Sequence, residues 1–164
     1  SLAHPTCNNF SKVIFEIGKK LEIKIQLGGT YMTMEGPQFS TLAESRLYKD
    51  NWKCDVIGMT NMPEAKLAKE AEICYTSLSM VTDFDCWHPD HDSVEVSDII
   101  ETLTNNSSKA QRIIEALPEF LKSNRDLCSL GCNNALDNAI ITAPEKRDPK
   151  VLQTLDVLLQ RLNK

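Results

Sequence analysis

The sequence has no apolar run approaching the eighteen or so residues that cross a bilayer, and no basic-then-apolar stretch at its amino terminus. A membrane span and a secretory signal are therefore not expected, and the protein is expected to be soluble and cytoplasmic. It also lacks a dense Lys/Arg cluster: 18 basic residues stand against 23 acidic ones, for a net charge of −5. Partners held by phosphate neutralisation, nucleic acid or an anionic membrane surface, are not expected. Histidine is scarce, with three in all, and the six cysteines at 7, 54, 74, 86, 128 and 132 form no C-x-x-C. Their spacing is unlike a zinc knuckle or ribbon, so no metal site is expected and the thiols read as free, mostly buried small apolar groups. A Cys128–Cys132 disulfide is the sharper alternative, which a reducing compartment disfavours. Three matches to the glycosylation triplet, at Asn9, Asn105 and Asn106, are read as chance in a chain without a secretory signal.

What remains is ordinary for a folded protein. The chain has 164 residues, 41% of them apolar and 25% charged, which excludes disorder, collagen and small disulfide scaffolds and suffices to bury a core. Val13, Ile14, Ile17 and Leu21 recur at helical spacing, predicting a helix over 6–21. Residues 23–27 alternate with period two and stop at Gly28-Gly29, predicting a strand, and residues 30–35 predict a second. After Gly36-Pro37, the run Thr41-Leu42-Ala43-Glu44 has the form of a capping box and opens a helix reaching about Asp50. Residues 54–60 predict a short buried strand, Pro63 starts a helix at its first position, and residues 73–81 predict a longer strand. Beyond Asp92, Val96, Ile99, Ile100, Leu103, Ala110, Ile113, Ile114 and Leu117 mark one long amphipathic helix. A short helix near 135–139 and a last one opened by Asp148-Pro149 complete the pattern. The class is α/β, a mixed sheet flanked by helices, in a single domain or part of one: strand-rich over about 1–92 and helical over 93–164.

In such a sheet, ligands bind beyond the carboxyl ends of the strands. The residues there are Gly36-Pro37-Gln38-Phe39-Ser40, Gly58-Met59-Thr60-Asn61-Met62-Pro63-Glu64 and Thr82-Asp83-Phe84-Asp85-Cys86-Trp87. The first two lead into helix N-termini, where free N–H groups and the hydroxyls of Ser40 and Thr60 can hold an anion; the plainer reading is that Ser and Thr simply cap helices. Asp83 and Asp85, beside Phe84 and Trp87, can be pushed apart in pKa to serve as acid and acceptor; alternatively they bond their own backbone in a turn. His88-Pro89-Asp90-His91-Asp92 suggests a metal cluster but reads better as a solvated loop. Ser1 could act as a terminal nucleophile, although nothing near it in sequence supplies a base.

Over Glu35 to Ser45, Asp55 to Glu64 and Met80 to Trp87 the chain resembles the trimeric purine nucleoside phosphorylase superfamily, and within it the branch acting on 5′-methylthioadenosine. The likeness runs over about residues 1–120 and is loose beyond Leu121. It implies phosphorolysis of the N-glycosidic bond to adenine and 5-methylthioribose 1-phosphate, with inorganic phosphate as co-substrate and no other cofactor. It implies that Phe39 packs on the purine, that Asp83 is the catalytic acid at N7 with Asp85 beside it, and that Met59 lies under the ribose. By the same resemblance Ser40 and Thr60 contact phosphate, and Val94, Val96 and Ile99 with Ile100 line the 5′ group; those aliphatics equally suit the core stripe of the long helix. The branch acting on 6-oxopurines is expected to carry Asn at Asp83 and Glu at Ser40, so 6-aminopurines are favoured. Gly58 departs from the Asn common in the methylthioadenosine branch. The family's Gly-rich phosphate loop and Arg-His pair have no counterpart among the six glycines and three histidines here. The expectation is therefore a C-terminal portion of a homotrimeric enzyme, inactive until a separate or cleaved N-terminal portion completes the site. Alternatives are a phosphorylase preferring adenosine or 6-oxopurine nucleosides, and a non-catalytic purine-binding or assembly module.

Overall fold

The computed structural model describes residues 1–88, 96–122 and 128–162. Helix α1, Asn8–Lys20, buries Val13, Ile14 and Ile17 and turns Lys19 and Lys20 to the negative end of its dipole. Its apolar face packs on Ile113 of α4, Val96–Lys122, which is 1% exposed. Phe10, Ile23, Ile25, Leu78, Leu117 and Phe120 close around this cluster. Fully burying one such aliphatic side chain contributes about 1.5–3 kcal/mol, so the α1–α4 contact is the principal apolar anchor. The Arg112 guanidinium adds a 3.0 Å bond to the Leu21 carbonyl at the end of α1.

Between these helices in chain order comes a parallel pair of strands, β1 (Tyr31–Thr33) and β2 (Val56–Gly58), with Tyr31 opposite Val56 and Thr33 opposite Gly58. Helix α2, Leu42–Arg46, connects them and widens into a π-helical turn at Leu47–Asn51. The capping box is formed: Glu44 N–H donates to Thr41 Oγ1 at 3.3 Å, and Thr41 N–H donates to Glu44 Oε2 at 2.8 Å. The Thr41 N–H, together with the Thr41 hydroxyl that also donates to Glu44 Oε2 at 2.8 Å, holds the Glu44 carboxyl below its usual range. Helix α3, Asn61–Glu70, begins two residues ahead of Pro63, which is tolerated because first-turn N–H groups have no partner inside the helix.

The α/β class stands, and four elements differ from expectation. Residues 23–27 and 73–81 form no ladder among the described residues. Period-two patterning makes a strand only where a neighbour offers its backbone. Here the Tyr75 carbonyl accepts from Cys7 N–H at 2.7 Å, and the Val81 carbonyl accepts from the Asn106 side chain at 2.8 Å. In place of a helix near 135–139 there is one 3₁₀ turn, Cys132–Asn134, followed by hydrogen-bonded turns in which Asp137 N–H donates to the Asn134 carbonyl at 3.2 Å and Ala139 N–H to the Leu136 carbonyl at 3.0 Å. The last helix divides into α5 (Pro149–Thr154), capped by Asp148, and α6 (Asp156–Leu159). This C-terminal arm is held by Arg161, whose guanidinium pairs with both Glu72 and Asp137, while Leu136 N–H donates to Glu72 Oε1 at 3.0 Å. Both strands precede residue 59, and no helix is long and apolar enough to cross a membrane among the described residues.

Candidate functional site

Because β1 and β2 are parallel and in register, their carboxyl ends lie side by side, and each runs through a short loop into a helix N-terminus. Residues 77–85 and Trp87 supply a further wall, giving a cleft of about 830 Å³. Phe39, Ser40, Met59, Thr60, Asp83 and Asp85 all line it.

Two glycines shape this end. Gly36 has φ +71°, a conformation that favours glycine, and a Cβ there would lie 2.8 Å from Met59 Sδ. At Gly58 a side chain would run into the Tyr31 hydroxyl. The absence of the Asn common in the methylthioadenosine branch thus has a local cause: the space is filled from the neighbouring strand.

The hydroxyls are placed unlike ordinary caps. Thr41 caps α2, whereas Thr60, at the start of α3, makes no capping bond and leaves its hydroxyl and the first N–H groups of α3 available at the cleft wall. Ser40 Oγ donates to Met34 Sδ at 3.5 Å. The Tyr75 hydroxyl fixes the start of α3, lying 2.9 Å from Asn61 Oδ1 and 2.8 Å from Glu64 Oε2. Burial, with Glu64 beside it, pushes the Tyr75 phenol up to about 12.

The two aspartates differ. Asp83 is exposed and accepts from Thr82 Oγ1 at 2.8 Å. Asp85 Oδ1 accepts from Cys86 N–H at 2.9 Å, while its Oδ2 is buried without a partner among the described residues. Of the two, the more buried carboxyl is that of Asp85 and not that of the candidate acid Asp83. Beside them Phe84 stacks on His88 with centroids 4.6 Å apart, Trp87 meets Phe84 edge-on at 5.7 Å, and Lys49 Nζ sits 3.1 Å from the Trp87 ring centroid. Cys86 Sγ donates to the Ser40 carbonyl at 3.5 Å, joining the first and third loops. Phe39 is 84% exposed.

Other assignments fall outside the cleft. Ile99 is half-buried and does not line it; Val94 and the side chain of Val96 lie outside the described residues. Of residues 88–92, only His88 is described. Ser1 is exposed, its Oγ accepting from Ala3 N–H at 3.5 Å. The sequence reading missed Ser45, Tyr48 and Lys49, which reach the cleft from α2 and the turn after it. Ser45 is fully buried, with a hydroxyl that lacks a partner among the described residues. Their spacing of four, seven and eight residues from Thr41 was the available signal.

A second gathering lies apart from the cleft lining. The Sγ atoms of Cys7, Cys74, Cys128 and Cys132 all lie within 4.8 Å of one another, and these thiols are free. Burial pushes the Cys74 thiol up strongly and Cys132 up to about 11. Burial opposes ionisation of Cys128 as well, yet hydrogen bonds from the Cys132 and Leu130 backbone bring it down to about 6.

The chain is 56% identical over 164 residues to the S-methyl-5'-thioadenosine phosphorylase of Cereibacter sphaeroides, covering 100% of this chain and 56% of the relative. It is 52% identical over 162 residues to the Bradyrhizobium diazoefficiens protein of that name, covering 99% and 55%. Among solved structures, a methylthioadenosine phosphorylase from an antarctic soil metagenomic library superposes with a TM-score of 0.88 at 38% identity, covering 97% of this chain and 55% of that one. The Schistosoma mansoni enzyme in complex with adenine gives 0.62 at 26%, covering 80% and 54%. The chain thus spans about half the length of the curated relatives it matches. Residues 2–119, the greater part of the sequence, match the family described as the phosphorylase superfamily, and the chain belongs to that superfamily.

Proposed function

We propose that this chain forms the purine-binding side of an enzyme that cleaves 5′-methylthioadenosine with inorganic phosphate, giving adenine and 5-methylthioribose 1-phosphate. The observation that carries the reading is the convergence of Phe39, Ser40, Met59, Thr60, Asp83 and Asp85 on one cleft at the carboxyl ends of parallel strands. The names of its relatives support the choice of substrate.

In this reaction a phosphate oxygen bonds to C1′ as the C1′–N9 bond breaks, and the bonding pair leaves with the purine. The sugar passes through a cationic, oxocarbenium-like state, so the protein must neutralise the leaving base and hold phosphate under the ring. Phe39 covers the purine face, and Asp83 gives a proton or strong hydrogen bond to N7 so that the base departs neutral. The unpaired Asp85 Oδ2 supplies an acceptor beside it, suited to the 6-amino group and unable to donate to a 6-oxo group. Met59 lies beneath the ribose, while Ser40, Thr60 and the N-terminus of α3 hold phosphate. Val94, Val96 and Ile99 are assigned to the 5′ methylthio group by the family resemblance, and Ile99 does not line this cleft.

This set is short of positive charge. Lys49 is the cation lining the cleft among the described residues, and it is engaged over Trp87. The remaining phosphate and 5′ contacts fall to the part of the relatives' length that this chain does not match, and the assembly is a homotrimer with sites near subunit boundaries. Exposed Phe39, Ile100, Leu103 and Ile114 support surfaces that another chain covers. Six free thiols fit a reducing cytoplasm. No cofactor beyond phosphate is needed for the reaction.

The test is adenine release from methylthioadenosine, with phosphate, by the 164-residue chain alone and after addition of the remaining portion. The reading requires turnover in the completed sample, little in the chain alone, and a preference for methylthioadenosine over adenosine and inosine. Adenine binding without release in the completed sample would instead mark a non-catalytic module, and an inosine preference would mark a 6-oxopurine enzyme.

A further inference from the structure

We propose that Cys7, Cys74, Cys128 and Cys132 form a structural zinc site that clasps the C-terminal arm to the body of the fold. The four sulfurs come from four places: the residue capping α1, the segment after α3, and the two ends of the turn that opens the arm. Their mutual distances reach no more than 4.8 Å, and Cys7 Sγ and Cys128 Sγ are 3.9 Å apart. A tetrahedral ion with Zn–S bonds of about 2.3 Å holds its sulfurs about 3.8 Å apart, so the four need to close only slightly. A disulfide requires about 2.05 Å, and the cluster favours no single pair to that extent.

The backbone around the sulfurs is arranged for thiolates. Gly131, at φ +63°, turns the chain so that Cys132 N–H donates to Cys128 Sγ at 3.1 Å. Cys128 and Cys132 have the three-residue separation of a chelating pair in structural sites. Cys7 and Cys132 are buried, Cys74 and Cys128 half-buried, which limits the water that could compete for the ion. Four thiolates with no open position suit zinc rather than a hard oxygen-seeking cation. On binding, each thiol gives its proton to solvent as its sulfur joins the ion, and no electron is transferred.

The geometry also gives the ion a mechanical role. Among the described residues the arm touches the body through few polar contacts, notably Arg161 and Leu136 N–H on Glu72, and Ser129 Oγ near Asn9 Oδ1 at 3.4 Å. A four-sulfur centre adds two bonds from each side of that junction, so metal binding and docking of the arm are coupled.

The experiment uses the 164-residue chain kept reduced under inert gas. Native mass spectrometry should show uptake of one zinc per chain, and cobalt(II) in its place should give the thiolate charge-transfer and tetrahedral d–d bands. Cys7→Ser or Cys128→Ser should weaken zinc uptake at least about tenfold, and Cys54→Ser should leave it unchanged. Should the serine variants fail to fold, alkylation of the unaltered chain decides: zinc should shield Cys7, Cys74, Cys128 and Cys132 together while Cys54 and Cys86 react at their former rate. Reduced chain that takes up no zinc, or zinc that shields none of the four thiols, overturns the proposal.

Discussion

The cleft and the four-sulfur cluster are assembled in opposite ways. The cleft takes its residues from short loops that directly follow strands or extended segments, and several of them, Phe39 and Asp83 among them, stand open to solvent. The cluster draws on positions up to 125 residues apart and closes its sulfurs into a half-buried knot. An open site assembled on loops suits a ligand that must enter and leave, while a closed site joining distant segments suits one that stays. The two also share a foundation, because α1 carries Cys7 at its cap and packs on α4 through Ile113.

The largest expected effect separates the two regions. Asp83→Asn, in the completed enzyme, should lower kcat/KM for methylthioadenosine on the order of 10²-fold or more, lower it far less for inosine, and leave zinc uptake unaltered. Equal losses on both nucleosides would remove Asp83 from purine recognition. Ile113→Ala should strike both regions, costing about 2–5 kcal/mol in chemical denaturation and weakening zinc uptake through the loosened seat of α1. Unchanged metal uptake in that variant would show the cluster to be independent of the α1–α4 core.

Smaller effects test each side by itself. Thr41→Ala removes the cap of α2, should cost about 1 kcal/mol in the same unfolding measurement, and should weaken adenine binding in calorimetry while sparing the cluster. The smallest is a pH effect on the arm. Arg161, with the Leu136 N–H, lowers the Glu72 carboxyl to about 2 from its ordinary value near 4.5. Its contribution is therefore complete above about pH 4.5 and is lost as the pH falls toward 2. Proteolysis of the arm, followed in that window, should accelerate for the wild type and not for Glu72→Gln.

The same contrast explains what could be read from the sequence. Helix α1, the capping box, the long helix α4 and the three cleft loops rest on patterns within a few residues, and those patterns act locally. Residues 23–27 and 73–81 show where that logic stops, since alternation specifies faces while a ladder also needs a partner backbone. The difference in burial between Asp83 and Asp85 was equally hidden, because burial depends on what surrounds two residues of identical chemistry. The sulfur cluster escaped because Cys7 and Cys74 are 67 residues apart, and only the fold brings them to Cys128 and Cys132. Sequence spacing offered Cys128 and Cys132 only as a disulfide pair; the set of four is made by tertiary structure.

The contact between Tyr31 and Gly58 has a further consequence. Three residue pairs are a short ladder, and a slip of one residue would displace one cleft loop against the other by about 3.3 Å. Tyr31 pairs with Val56, yet its hydroxyl reaches over Gly58, where alone along β2 no side chain obstructs it. The ring and the bare backbone act as key and slot. They gauge the distance between the Ser40 loop and the Thr60 turn, and a side chain at position 58 would put that gauge out of true.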